Sequence, residues 1–209
     1  YLDVTVGTRG RNLNETFYRR KEMENGNIRY GMSSDEFPDI FSKYDIIATS
    51  SIFSAQTRMH FEIAAIAKKV SKENSKPILT VSGGVNARAL REHFLSNGFD
   101  IVALGEGEIT IVQIVEQFSS SKPDYSKVER IAFRKDDKTI ITSAPYRKPT
   151  KFIDHVPHAA IDIFPLEVYQ NLSNPSQSPH RPGTRFAGIQ TSRGCQDKCT
   201  FCHISLEKD

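Results

Sequence analysis

The stretch Pro77-Ile78-Leu79-Thr80-Val81-Ser82-Gly83-Gly84 decides the fold. Its apolar run is too short for a helix and is bounded by a proline on one side and a glycine pair on the other. Such a run reads as a strand buried on both faces, ending in a turn. Upstream, Met59, Ile63, Ile66, Ala67 and Val70 recur at helical spacing, and Tyr44-Asp45-Ile46-Ile47-Ala48-Thr49 is a second compact run before them. Downstream, Asn86 is placed to cap a helix carrying Leu90, Phe94 and Leu95, which Gly98 ends. Asp100-Ile101-Val102-Ala103-Leu104 is a third apolar run, and Glu108 to Phe118 a further helix with Ile111, Ile114 and Val115 facing inward.

Short apolar strands separated by amphipathic helices demand a parallel sheet covered on both faces. Right-handed crossovers then make an α/β domain with a Rossmann-like, doubly wound parallel sheet. We assign residues 1-122 to it. Near its start, Leu2 to Val6 alternates like a half-buried strand, and Asn12 to Met23 has a sparse helical pattern. Ser33-Ser34-Asp35-Glu36 has capping-box spacing and starts a short helix to about Ser42.

After Ser119-Ser120-Ser121-Lys122-Pro123 the pattern changes. Ile131-Ala132-Phe133 and Thr139-Ile140-Ile141-Thr142 read as a β-hairpin, and Pro145 to Gly183 is proline-rich and aperiodic. Residues 123-186 are therefore a hairpin and connector. Ala187-Gly188-Ile189-Gln190-Thr191 is one more strand, opening a last segment, 187-209.

The 209 residues carry a formal charge of +3 from scattered Lys and Arg, which does not indicate a nucleic-acid partner. No apolar run approaches the roughly 20 residues of a membrane-spanning helix. The start shows no signal-peptide pattern, and 3 cysteines are an odd number, which argues against a disulfide framework. A reducing, cytoplasmic compartment is the expectation.

Ligands of open parallel sheets bind beyond the carboxyl ends of the strands. Three such ends are chemically distinctive here: Thr49-Ser50-Ser51-Ile52-Phe53, Ser82-Gly83-Gly84 and Gly105-Glu106-Gly107-Glu108. Singly, hydroxyls, glycines and first-turn glutamates serve caps and turns. On one sheet edge they mark a pocket for a ligand with a long, flat or branched body.

All the sulfur chemistry stands near the other end, in Gly194-Cys195-Gln196-Asp197-Lys198-Cys199-Thr200-Phe201-Cys202-His203. The spacing C-x3-C-x2-C turns three thiolates toward one metal centre, which selects an iron–sulfur cluster or zinc. Zinc would take His203 as fourth ligand, although structural zinc sites draw paired ligands from two separated arms. The cluster reading is preferred, and it leaves one iron without a protein ligand.

This loop resembles that of the radical SAM superfamily, whose pattern is C-x3-C-x-aromatic-C, with Phe201 in the aromatic place. Ser50-x-Ile52, Gly83-Gly84 and Gly105-Glu106-Gly107-Glu108 resemble the cobalamin-binding domain that precedes the barrel in the B12-dependent branch. Phe152 to Pro157 and Ile163 to Tyr169 look like that branch's connector. The resemblance implies that Cys195, Cys199 and Cys202 hold a [4Fe–4S] cluster whose open iron chelates S-adenosylmethionine, with Phe201 near the adenine. It implies a 5′-deoxyadenosyl radical, methyl transfer from cobalamin, and an electron donor such as flavodoxin or ferredoxin. Ser50, Ile52, Gly83, Gly84, Gly105, Glu106, Gly107 and Glu108 become the cobalamin contacts.

Two departures stand against the pattern. The family's Asp-x-His-x-x-Gly, whose histidine ligates cobalt, is absent, and no histidine precedes His60. Either the lower face of cobalt lacks a histidine or the domain has lost cobalamin. Gln196 stands where relatives commonly have proline. A barrel needs several further units of roughly 30 residues each after the cysteine loop. The expectation is an N-terminal portion of a radical SAM enzyme, a B12-dependent methyltransferase or related radical enzyme, inactive alone, with strand 187-191 the first of the barrel. The alternatives are a cobalamin-type or substrate-recognition module without catalysis of its own, and a small zinc protein.

Overall fold

The computed structural model describes residues 1–7, 10–23, 26–136, 138–142, 154–172, 193, 197 and 199–202. The chain divides into two units, one of Tyr1–Glu36 with Asp154–Arg193, the other of Phe37–Ile153 with Gly194–Asp209.

The second unit holds the sheet. Strands β3 (Ile46–Ser50), β4 (Leu79–Gly83) and β5 (Ile101–Ala103) run parallel, and β6 (Ile131–Lys135) and β7 (Lys138–Ile141) extend the same sheet antiparallel, in the order β3-β4-β5-β6-β7. The α/β fold is the one expected, and the three strands read as parallel are parallel. The hairpin assigned to a connector is part of the sheet, so the whole sheet is mixed. Helices α1 (Phe37–Phe41), α2 (Thr57–Glu73), α3 (Val85–Ala89), α4 (Arg91–Ser96) and α5 (Gly107–Phe118) complete the unit. The expected strand 187-191 lies outside the described residues.

Successive strand residues point to opposite faces, and the sheet uses this to build two cores. Leu79, Val81, Ile101, Ile131 and Phe133 pack on one face with Ile114 of α5. Val102 and Ala132 pack on the other with Ala64 of α2, Ala87 of α3, and Phe94 and Leu95 of α4. On that second face β4 places two buried hydroxyls, and each is satisfied. Thr80 donates to the Gly98 carbonyl at 2.8 Å, and Thr49 donates to Ser82 at 3.1 Å. Asp100 accepts the Thr80 amide at 2.8 Å and pairs with Lys68, which ties α2 to the start of β5.

The helices differ in detail from their sequence patterns. The fully buried stripe of α2 is His60, Ala64, Ala67 and Val70, with Met59, Ile63 and Ile66 half-buried at its sides. Alanines in the stripe let the helix sit close on the sheet. In α5, Ile114 faces inward as expected, whereas Ile111 and Val115 are exposed at 37% and 43%. Asn86 lies inside α3, whose N-cap is Gly84, and the expected single helix breaks into α3 and α4 at Leu90.

His60 is buried against Phe94, ring centroids 6.1 Å apart, and among the described residues its Nδ1 has no hydrogen-bond partner. Burial disfavours the imidazolium and lowers the pKa below the usual value of 6.5. The unfolded chain thus binds a proton more readily than the folded one, and stability falls as pH drops through about 6.5. Urea midpoints measured from about pH 7.5 down to about 5 should show this loss, and His60→Leu should remove His60's part of the slope.

In the first unit, β1 (Arg20–Glu22) and β2 (Ile28–Tyr30) form an antiparallel hairpin. The expected strand at Leu2 to Val6 is instead a turn, closed by the Gly7 amide on the Asp3 carbonyl at 2.7 Å with Gly7 at φ +82°. The expected helix over Asn12 to Met23 reduces to a 3₁₀ turn, Leu13–Glu15, followed by β1. The capping box is present in part: the Ser33 amide donates to Glu36 Oε1 at 3.3 Å, ahead of a 3₁₀ turn that runs into α1. Helix α6 (Leu166–Leu172) joins the unit through Tyr169, which donates to Asp3 at 2.5 Å. Burial and this acceptor both push the Tyr169 pKa up.

Candidate functional site: a cleft at the carboxyl ends of the parallel strands

The parallel register sets Ser50 beside Gly83 and Ser82 beside Val102, so the carboxyl ends of β3, β4 and β5 lie side by side. Beyond them opens a cleft of about 400 Å³. Ala48, Val81, Ala103, Leu104, Ile111 and Ile114 give it apolar walls, and Thr49 and Ser50 supply hydroxyls. Gly83, Gly84, Gly105 and Gly107 line it with backbone. Arg88 and Glu106 are its two charged lining residues, one of each sign.

Two of the three loops are stapled together. The Ser51 amide donates to the Gly83 carbonyl at 2.8 Å, and the Asn86 amide returns to the Ser51 carbonyl at 3.1 Å. The Asn86 side chain donates to Ser51 Oγ and Thr57 Oγ1, both at 2.9 Å. This needs Gly84, at φ +92°, where an added Cβ would lie 2.4 Å from the Ser51 carbonyl oxygen. The glycine pair therefore serves a backbone approach, though at Gly84 the partner is the neighbouring loop.

The third loop is clamped from the other side. Leu104 donates to the Arg130 carbonyl at 2.8 Å, and Arg130 itself sits at φ +53°. A Cβ on Gly105 would come within 2.7 Å of Arg130 Nε. Thr110 Oγ1 donates to the Glu106 carbonyl at 3.2 Å, fixing the turn that starts α5. Gly107 is different, since a Cβ there would meet nothing within 4 Å.

The structure thus brings Ser50, Gly83, Gly84, Gly105, Glu106 and Gly107 to one cleft. Ile52 lies on the loop after β3, 55% exposed, and Glu108 in the first turn of α5. Arg88 was missed by sequence reasoning. The signal available was its position one helical turn beyond Gly84, which places it over the same strand end.

Of the cysteine loop, Cys199, Thr200, Phe201 and Cys202 are described, and Cys195 and His203 lie outside the described residues. The Cys202 amide donates to the Cys199 carbonyl at 3.1 Å, so the two cysteines share one tight turn. Among the described residues neither is in a disulfide, and Phe201 is 91% exposed. Two thiols on one turn are the donor type that an iron–sulfur cluster takes. Among the described residues, no helix is long and apolar enough to cross a membrane.

No protein-family model matches the chain. It is 30% identical over 197 residues to the cytidylyl-2-hydroxyethylphosphonate methyltransferase of Streptomyces wedmorensis, covering 84% of this chain and 36% of that one. It is 25% identical over 137 residues to the cobalamin-dependent radical SAM methyltransferase TokK of Streptomyces tokunonensis, covering 64% of this chain and 19% of that one. Its fold matches that of the cobalamin-dependent S-adenosylmethionine radical enzyme OxsB, solved with aqua-cobalamin and S-adenosylmethionine bound. The TM-score is 0.51 at 20% identity, over 62% of this chain and 17% of OxsB. The chain is similar to the cobalamin-dependent radical SAM proteins. It spans about a third or less of the length of these curated relatives. Against OxsB, the likeness is one of fold.

Proposed function

We propose that this chain is the cobalamin- and cluster-binding portion of a radical SAM methyltransferase. One observation carries the reading: a cleft at the carboxyl ends of β3, β4 and β5 gathers the loops that the sequence singled out. The methyltransferase names of its relatives support it. So does the C-x3-C-x2-C loop, whose last two cysteines form one turn.

In this reading residues 1-122 contribute the cofactor cleft, and 187-209 opens the radical SAM part. When bound, cobalamin supplies a methyl donor, and the cluster with S-adenosylmethionine supplies hydrogen abstraction from substrate. The protein's own part is positioning. Gly84 and Asn86 hold the loop after β3 against β4, and Leu104, Ile111 and Val81 offer apolar walls to a bound ring. Thr49 and Ser50 offer hydroxyl hydrogen bonds, and Arg88 and Glu106 add one charge of each sign. Cys195, Cys199 and Cys202 would hold the cluster through their thiolates, and an electron donor such as flavodoxin or ferredoxin would serve it. The reaction's substrate, the full activity and a cytoplasmic setting belong to the same proposal.

Anaerobic reconstitution of the chain with iron and sulfide tests the cluster half. About four irons per chain are expected, as three thiolates on a four-iron cluster require. Cys199→Ala and Cys202→Ala should each lose most of that iron. One equivalent of zinc with no iron would replace the cluster by a structural zinc site.

A further inference from the structure

Three non-glycine residues among those described carry a positive φ, and two of them have an ordinary reason. Ser75, at φ +51°, follows the C-cap of α2, where a left-handed residue closes the helix. Asp136, at φ +49°, turns the chain from β6 to β7, and aspartate accepts that conformation. Arg130, at φ +53°, is different. It stands with Glu129 in the turn before β6, at a place where glycine or asparagine is the usual choice. Strain of this kind gathers at functional sites, so the long side chain needs a reason.

The reason lies across the third cleft loop. Cδ, Nε and Cζ of Arg130 stand 3.0, 2.7 and 3.3 Å from the point where a Cβ on Gly105 would be, so the arginine takes the place of a side chain there. Gly105 lines the cleft with Leu104, Glu106 and Gly107, and Arg130 does not. The turn that carries Arg130 is pinned at both ends of that loop. At the β5 end, the Leu104 amide donates to the Arg130 carbonyl at 2.8 Å. At the α5 end, the Glu129 amide donates to Gln113 Oε1 at 2.8 Å, and Thr110 Oγ1 lies 3.3 Å from the Glu129 carbonyl. Thr110 Oγ1 is equally close to the Glu106 carbonyl, at 3.2 Å, so one hydroxyl ties loop and turn together. These bonds fix the ends of the loop, whereas its middle holds two glycines, which give it little stiffness of its own.

We infer that Arg130 is a positioning residue of the cleft: its side chain, laid over Gly105, holds the backbone of residues 105–107 at the height a bound ligand meets. It acts through Gly105 and touches no ligand itself. The same turn gives the β6–β7 hairpin a part in the site. The inference takes its ligand from the cobalamin reading, and one arm of its test needs no ligand.

The full chain is compared with Arg130→Asn and Arg130→Lys. Asparagine accepts a positive φ but is too short to reach over Gly105, and lysine keeps a side chain of similar length. Without ligand, amide hydrogen exchange at residues 105–107 should run at least about fivefold faster in Arg130→Asn. The Ser51 and Asn86 amides, bonded within the other staple, should keep their rates. With hydroxocobalamin, followed by its visible spectrum, Arg130→Asn should bind at least about fivefold more weakly, and Arg130→Lys within about twofold of the unmodified chain. Both variants should melt within about 3 °C of it, which separates positioning from support of the fold. Unchanged exchange at residues 105–107 in Arg130→Asn overturns the inference, as does equal acceleration at Ser51 and Asn86. So does unchanged affinity, a melting temperature that falls with the affinity, or no recovery in Arg130→Lys. If the unmodified chain takes up no cobalamin, the cobalamin reading fails and the exchange arm decides alone.

Discussion

Gly84→Ala is expected to cost at least about 3 kcal/mol and to disable the cleft. A side chain at positive φ costs about 1–2 kcal/mol before any contact is considered. The new Cβ would then stand 2.4 Å from the Ser51 carbonyl oxygen, so one of the two loops has to move. Movement breaks the Asn86 amide bond to Ser51 and the paired side-chain bonds to Ser51 and Thr57. Ser51 and Asn86 are buried, and buried groups left without partners cost about 1–3 kcal/mol each. Gly107→Ala is the control. Its Cβ meets nothing, it starts α5, and its effect should stay within about 1 kcal/mol, on the stabilising side. Urea denaturation of both variants gives the comparison. Equal losses would mean that the loop staple is not what holds the site.

Phe94→Ala should be the most damaging change in the apolar core, at about 3–5 kcal/mol. Phe94 is 0% exposed and meets the rings of His60, Phe61 and Phe99 at centroid distances of 6.1, 5.1 and 5.4 Å. It fills the space where α2 and α4 meet over the sheet, packed in one cluster with Ala64 of α2, Ala87 of α3 and Val102 of β5. Phe53→Ala removes the same ring from a site 63% exposed and should change stability by no more than about 0.5 kcal/mol. Denaturant midpoints for the pair check the contrast, and a loss below about 1 kcal/mol for Phe94→Ala would contradict the packing described.

The sequence made the three parallel strands legible because each is a short apolar run closed by small or polar residues. The hairpin was legible too, but its place in the sheet was not. The pairing of β5 with β6 is a tertiary contact that leaves no local pattern in either strand. The first thirty residues misled for a related reason. Alternation at Leu2 to Val6 can be satisfied by a turn once Gly7 reverses the chain, and Val6 is buried without any strand. In α2 two of the five residues read at helical spacing, Ala67 and Val70, are in the buried stripe, which His60 and Ala64 complete in place of the bulkier Met59, Ile63 and Ile66.

The site shows the same division. Six of the residues read as ligand contacts do line the cleft, since strand ends in a parallel sheet converge whatever their side chains. What the sequence could not show is what each glycine is for. Gly84 admits a neighbouring carbonyl, Gly105 admits Arg130, and Gly107 opens on empty space. Arg88 escaped notice because an arginine in a helix is ordinarily a solvated one, and its proximity to the strand ends follows from the short α3.

That difference among glycines supplies the direct test of the cobalamin reading. Hydroxocobalamin is titrated into the chain and into Gly107→Trp, with the visible spectrum and co-elution as readouts. Gly107 lines the cleft and a Cβ there would meet no neighbour, so a tryptophan is expected to crowd the cleft while the fold melts unchanged. Saturable binding to the unmodified chain is expected, with a loss of more than about tenfold in the variant. No spectral change with the unmodified chain, or the same affinity in both, would contradict it.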